Sequence, residues 1–179
     1  LELQRELARR RAAGSFPDDI LLLVEHPPVF TLGRGTRAES LPLPVDELRH
    51  RGIEVHEVER GGDVTYHGPG QLVGYPILDL QRHRPDLHWY LRQIEGAMIS
   101  ALAELRIVAD RNPGLTGVWT EEKKIASIGI HVRHWVTFHG FALNVTTNLD
   151  PFGLIVPGGT RAVQIPSSAP RSETPPGDA

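Results

Sequence analysis

The residues best suited to chemistry lie in one stretch, Arg60 to Leu80, which reads R-G-G-D-V-T-Y-H-G-P-G-Q-L-V-G-Y-P-I-L-D-L. Gly61, Gly62, Gly68 and Gly70 let this backbone approach a ligand closely or adopt positive φ where a side chain would clash. Ile53 to Val58 before it alternates apolar and polar residues as a half-buried strand does, and Leu72 to Leu80 after it is rich in β-formers. A glycine-rich loop between two strands, carrying Arg60, Tyr66 and His67, is expected to present polar groups over a pocket. The plainer alternative is a hairpin with an irregular turn. The glycine spacing fits neither G-x-G-x-x-G nor G-x-x-x-x-G-K-[ST], so the pattern does not call for a nucleotide.

A second candidate is Lys124, in K-K-I-A-S-I-G-I from Lys123 to Ile130. Small and apolar strand neighbours desolvate an amine in part, which lowers its pKa and lets it act as a base near neutrality. The alternative is a lysine whose stem merely snorkels at a strand start. Gly129 here, with Gly140 and Ala142 on the next strand, would leave a slot wide enough for an acyl chain, and close strand packing accounts for them equally well. His131, His134 and His139 make a poor metal set: along one extended strand 131 and 139 share a face while 134 points away.

The elements that must hold these residues follow from periodicity. Leu1 to Arg11 is rich in helix formers and stops at Gly14. A helix that opens without a cap leaves its first amides unpaired, so a preceding segment is expected. Ile20 to Glu25 reads as a buried strand ended by His26-Pro27-Pro28. Gly33 to Ser40 reads as a polar loop, and Val45 to Arg51 as a short helix closed by Gly52. Pro85-Asp86 open the clearest helix, with Leu87, Leu91, Ile94, Met98, Leu102 and Leu105 at three- and four-residue steps. Strands are expected at Gly117 to Thr120, Lys124 to Val132 and His134 to Val145. The reading is α+β, a single mixed sheet with helices packed on one side.

Composition excludes several classes. The 179 residues imply one domain, and 19 basic against 22 acidic residues give a net charge of -3 with no basic stripe for nucleic acid. Cysteine is absent, which removes disulfides, thiolate metal sites and cysteine nucleophiles together. Ile20 to Val24 is too short to span a bilayer and follows no signal-like segment, so a cytoplasmic protein is expected, with no membrane partner. From Gly158 onward the chain is filled with Pro, Ser and Gly and has no period, so a disordered tail is expected over 158–179, after a domain spanning 1–157.

Four segments together resemble the octanoyltransferases of lipoate biosynthesis: R-G-G-D-V-T-Y-H-G-P-G-Q-L at Arg60 to Leu72, K-I-A-S-I-G at Lys124 to Gly129, H-G-F-A-L-N-V at His139 to Val145 and L-I-V-P at Leu154 to Pro157. The resemblance implies a fold like the biotin and lipoate protein ligase catalytic domain. It also implies transfer of an octanoyl group from octanoyl-acyl carrier protein to a lysine of lipoyl domains, those of 2-oxoacid dehydrogenases and of the glycine cleavage H protein, with no cofactor. Carried over by position, Arg60, Gly61, Gly62, Asp63, Val64, Thr65, Tyr66 and His67 resemble the family's substrate-binding loop. Ser127, Ile128, Gly129, Gly140, Phe141 and Ala142 resemble the rest of its acyl pocket. Lys124 resembles the lysine that activates a nucleophilic cysteine, which takes the acyl group as a thioester before the target lysine removes it. Amides of the glycine-rich loop are expected to stabilise the oxyanion.

The chain departs from that pattern after L-I-V-P. Family members continue with Cys-Gly and a terminal amphipathic helix, whereas Gly158-Gly159 and an aperiodic tail stand here. The whole block changes at once, as a reading-frame change or an altered terminus would produce. Loss of a covalent nucleophile costs many powers of ten, so poor activity is expected, with Ser127, Thr160, Ser167 and Ser168 as weak hydroxyl substitutes. The alternatives are a non-catalytic binder of a medium-chain acyl group or of the carrier protein, and an ATP-dependent lipoate ligase. Arg34, Arg37, Arg82 and Arg84, in loops, are candidates for docking an acidic carrier.

Overall fold

The computed structural model describes residues 1–121 and 123–156. In chain order its elements are α1 (Glu2–Ala12), β1 (Ile20–Val24), β2 (Val29–Leu32), α2 (Val45–His50), β3 (Glu54–Glu57), β4 (Thr65–His67), β5 (Gln71–Ile77), α3 (Leu87–Glu104), β6 (Val118–Thr120), β7 (Lys123–Arg133) and β8 (Val136–Asn144). The α+β class stands, but the strands form two sheets. Five of them lie in the order β1-β5-β8-β7-β6 with antiparallel neighbours, and three in the order β3-β2-β4, where β2 runs parallel to β3 and antiparallel to β4. The second sheet exists because Val29–Leu32, too short and too close to Pro27-Pro28 to read as a strand, finds partners on both sides.

The helices cover opposite faces of the large sheet rather than one. Neighbouring strand residues point to opposite faces. On β8, Val136 and Phe138 pack with Ala8 of α1, while the intervening Thr137 meets the Tyr90 hydroxyl of α3. The predicted α3 stripe is half right. Ile94, Met98 and Leu102 are buried together with Tyr90, but Leu87 and Leu105 lie beyond the sheet and stay exposed. Asp86 caps this helix by accepting from the Trp89 amide (3.0 Å).

β1 is an edge strand, not a buried one. Leu21 and Leu23 are 55% and 56% exposed because α3 does not reach over that end of the sheet. The β7–β8 connection is a hairpin whose turn is His134-Trp135, both at positive φ, so the predicted strand start at His134 belongs to the turn. The glycine-rich loop does not join two strands of one sheet. It leaves β3 in the small sheet, contributes β4 to that sheet, and enters β5 in the large one. The space between the sheets is where it passes. Among the described residues no helix is long and apolar enough to cross a membrane.

Candidate functional site

Between the sheets lies a cavity of about 690 Å³. Its floor is the α1-side face of the large sheet: Val73 and Tyr75 of β5, Ser127 and Gly129 of β7, Gly140 and Ala142 of β8. The register pairs Gly129 with Gly140 and Ser127 with Ala142, so the small residues do face one another across the strands. Each glycine is nonetheless required by a close backbone. A Cβ on Gly129 would sit 2.9 Å from the Gly61 carbonyl oxygen, and one on Gly140 would overlap that of Gly74. Close packing accounts for these two positions, and the cavity lies over them.

The glycine-rich loop forms one wall. The Gly61 amide donates to the Ile130 carbonyl (2.8 Å), the Arg34 amide to the Arg60 carbonyl (3.0 Å) and the Gly35 amide to the Gly62 carbonyl (2.9 Å). The loop is thereby pinned to β7 on one side and to Gly33–Thr36 on the other. Arg60 is buried, and its guanidinium donates to the Thr31 carbonyl (2.6 Å), the Thr31 hydroxyl (2.9 and 3.2 Å) and the Gly61 carbonyl (3.1 Å). Burial lowers its pKa to about 10, with the Asp63 charge offsetting part of the effect, so it stays cationic near neutrality.

His67 is held neutral. Gln71 donates its amide to the Tyr66 carbonyl (3.1 Å) and the Asn144 side chain (2.9 Å), so its oxygen accepts from His67 Nδ1 at 2.7 Å. That assigns the His67 proton to Nδ1 and leaves Nε2, 3.4 Å from the Thr31 hydroxyl, as an acceptor. Burial pushes the pKa down to about 3.

Lys124 opens onto the same cavity at the start of β7. Its Nζ lies 5.2 Å from the centroid of the Trp119 ring, and burial lowers its pKa while Glu95 raises it in part. A partly desolvated amine, a neutral imidazole and a mostly apolar floor can bind an acyl group and accept a proton beside its carbonyl.

Of the residues singled out from sequence, Lys124, Arg60, Gly62, Asp63, Val64, Thr65, His67, Ser127, Ile128, Gly129, Gly140, Phe141 and Ala142 all line this cavity. Tyr66 does not. Its ring turns into the small sheet's core against Phe30 and Phe152, since on β4 it has the opposite parity to Thr65 and His67. Gly61 braces the loop instead of lining the cavity, and its amide and that of Val64, which meets Asp63 Oδ1 at 2.6 Å, are engaged. Neither is free to stabilise an oxyanion. Thr160, Ser167 and Ser168, Pro157 of L-I-V-P, and Gly158 lie outside the described residues.

Several lining residues escaped sequence reading. His26, taken only as a strand stop, places Nε2 2.6 Å from the Tyr75 hydroxyl. Thr31 sits on the unread strand β2. His139, weighed as a metal ligand and otherwise quoted in H-G-F-A-L-N-V without a role of its own, is buried on β8 at φ 57°, with Nε2 3.6 Å from Glu59. The arginines separate as well: Arg34 and Arg37 are exposed on the segment bonded to the glycine-rich loop, while Arg82 donates to the Pro17 carbonyl and Arg84 pairs with Asp86 (3.1 Å).

Residues 1–174 match the family of the lipoyl protein ligase A/B catalytic domain. The chain belongs to that family. Within it, the chain is 54% identical over 156 residues to an octanoyltransferase of a Nostoc species, covering 87% of this chain and 69% of the relative. It is also 54% identical over 167 residues to an octanoyltransferase of Geobacter metallireducens, covering 93% and 75%. Among solved folds, a lipoate-protein ligase A bound with ATP superposes with a TM-score of 0.73 at 21% identity, covering 93% of this chain and 71% of that one. A bipartite lipoate protein ligase from Thermoplasma acidophilum gives 0.67 at 25%, covering 86% and 61%. The family fold is thus the two-sheet arrangement described above.

Proposed function

We propose that this chain binds an octanoyl group presented by acyl carrier protein and passes it to a lysine of a lipoyl domain, at a rate held down by the missing thiol. Relatives more than half identical that bear the name octanoyltransferase support the acyl group and the reaction. The observation that carries the reading is the partly desolvated Lys124 amine opening onto the same cavity as His67, over a floor of small residues. The substrate-binding set proposed is Arg60 to His67, Ser127 to Gly129 and Gly140 to Ala142. Tyr66 and Gly61 act there by holding the loop.

Without cysteine the transfer is direct. Where Lys124 is in its free-base form, it takes a proton from the acceptor lysine's amine as that nitrogen attacks the thioester carbonyl; the C–N bond forms, the C–S bond breaks, and Lys124 returns the proton to the departing carrier thiolate. These partners imply a cytoplasmic setting.

The test is mass spectrometry of a lipoyl domain incubated with octanoyl carrier protein and the chain. Octanoylation above a Lys124→Ala control is expected, slow in this chain and raised by orders of magnitude in Gly158→Cys, which writes Pro-Cys-Gly at residues 157–159. If neither chain exceeds the control, the transferase reading is wrong. The complete absence of cysteine favours a second reading, a binder that holds octanoate without turnover, and retention of octanoate with no transfer would distinguish it. ATP-dependent lipoylation would instead indicate ligase chemistry.

A further inference from the structure

The two ends of the cavity differ, and the difference is built along β7. At one end the Lys124 stem lies where a Gly117 side chain would begin (Cβ to Cε 2.6 Å), and that same Cβ would be 2.7 Å from the Ala126 carbonyl oxygen. The stem therefore leans along β7 toward Ala126. At the other end the Gly61 carbonyl and the Arg60 side chain close in on Gly129, 2.9 and 3.0 Å from where its Cβ would be, with the Gly61 amide bonded to Ile130, so the cavity narrows there. From Ala126 to Gly129 is three residues, about 10 Å at a rise of roughly 3.3 Å per residue. An extended chain advances about 1.2 Å per bond on the scale of extended backbone, so the seven C–C bonds of an octanoyl group span about 8 Å. An acyl carbonyl at Lys124 brings the methyl end up to, and just short of, the narrowing at the Gly129–Gly140 pair.

The wall met there is polar. His139 is only 6% exposed, lines the cavity, and its Nε2 has no hydrogen-bond partner among the described residues. It sits at φ 57°, a conformation that side-chain-bearing residues rarely hold without support. The support is visible: its amide donates to Gln4 Oε1 (2.8 Å), and Glu59, 3.6 Å from its Nε2, is fixed by two bonds from Arg5 (2.8 and 2.9 Å). Helix α1 and Glu59, the residue that leads into the glycine-rich loop, thus meet around one imidazole.

We propose that His139, positioned by Gln4 and Glu59, is the residue that sets acyl chain length, by ending the apolar channel at eight carbons. The inference rests on the acyl-transfer reading above and goes beyond it to specificity. Each methylene that finds apolar surface raises affinity about fourfold. A ninth or tenth methylene here meets a polar ring and the buried Arg60 guanidinium instead, so the gain stops.

The experiment is calorimetric titration of the full chain with sodium hexanoate, octanoate, decanoate and dodecanoate, repeated on His139→Gly and His139→Asn, two residues that accept positive φ. In the unaltered chain, affinity is expected to climb to octanoate and then level or fall. In His139→Gly the decanoate-to-octanoate affinity ratio is expected to rise at least fivefold, with His139→Asn between the two. A merely structural role would weaken all lengths alike and leave the ratio unmoved. Should His139→Gly not fold, His139→Asn decides alone. Octanoate binding with an unchanged ratio overturns the ruler and leaves the site reading intact, whereas failure of every chain length to bind the unaltered protein overturns both.

Discussion

Gly129 and Gly140 stand opposite each other across β7 and β8, and each is pressed by a carbonyl from another part of the chain, Gly61 and Gly74 respectively. Gly129→Ala would set its Cβ 2.9 Å from the Gly61 oxygen and 3.0 Å from Arg60 Cδ, so the loop must lift off the strand. Overpacking of this kind costs about 1–3 kcal/mol. Gly140→Ala should cost more, because the obstacle is a neighbouring strand that cannot lift. Urea unfolding of both variants, with octanoate titration of Gly129→Ala, checks the order and the expected loss of binding when the loop moves.

Lys124 is expected to cost stability while serving the site. Burial lowers its pKa, so the folded chain binds fewer protons here than the unfolded chain between the folded value and about 10.5. Lowering the pH through that interval therefore stabilises the unfolded state. Lys124→Met should melt at or above the temperature of the unaltered chain at pH 7, and the gap should narrow as the pH is raised toward 10.5. A variant that melts lower at pH 7 would mean that the cation over the Trp119 ring outweighs desolvation.

Glu95 is fully buried in α3 and accepts from Arg92 (2.6 Å), Arg111 (3.0 Å) and the Gly117 amide (3.1 Å). It fixes the segment leading into β6, and Gly117 is the residue against which Lys124 lies. Glu95→Ala strands a buried amide, though the two half-exposed arginines can turn to water, so a loss of about 3 kcal/mol is expected. Because Glu95 also raises the Lys124 pKa, Glu95→Gln should lower it further. Titration of the labelled lysine by NMR reads that shift.

What the sequence made legible were features with local causes. Asp86 before an apolar stripe marks the start of α3, Gly52 closes α2, and the glycines of Arg60 to Leu72 mark a loop that approaches other backbone. Gly129, Gly140, Ser127 and Ala142 fall on facing strands as their spacing implied. The remainder depends on partners distant in the chain. Val29–Leu32 becomes a strand only through β3 and β4, Tyr66 turns from the pocket because β4 fixes its parity, and Leu21 is exposed because α3 does not extend over β1. The conformation of His139 depends on Gln4, 135 residues earlier, and no local pattern announces it.

The buried histidines make a last prediction in which the sign can be isolated. His67 and His139 are pushed down to about 3 and about 4 by burial, against about 6.5 in the unfolded chain. Between pH 6.5 and 4 the unfolded state takes up protons that the folded state refuses, so stability falls as the pH falls, by about 1.4 kcal/mol per pH unit for each histidine. Glu59, lowered to about 2 by Arg5, acts in the same direction but only below about 4.5. Measurements from pH 6.5 to 5 therefore report histidines and not carboxylates. His67→Gln should reduce the slope of unfolding free energy in that interval by about one histidine's worth, and His139→Asn by the same amount. An unchanged slope in His67→Gln would mean that the imidazole is protonated in the fold, which its hydrogen bond from Nδ1 to Gln71 alone does not forbid, and would remove the neutral acceptor from the site.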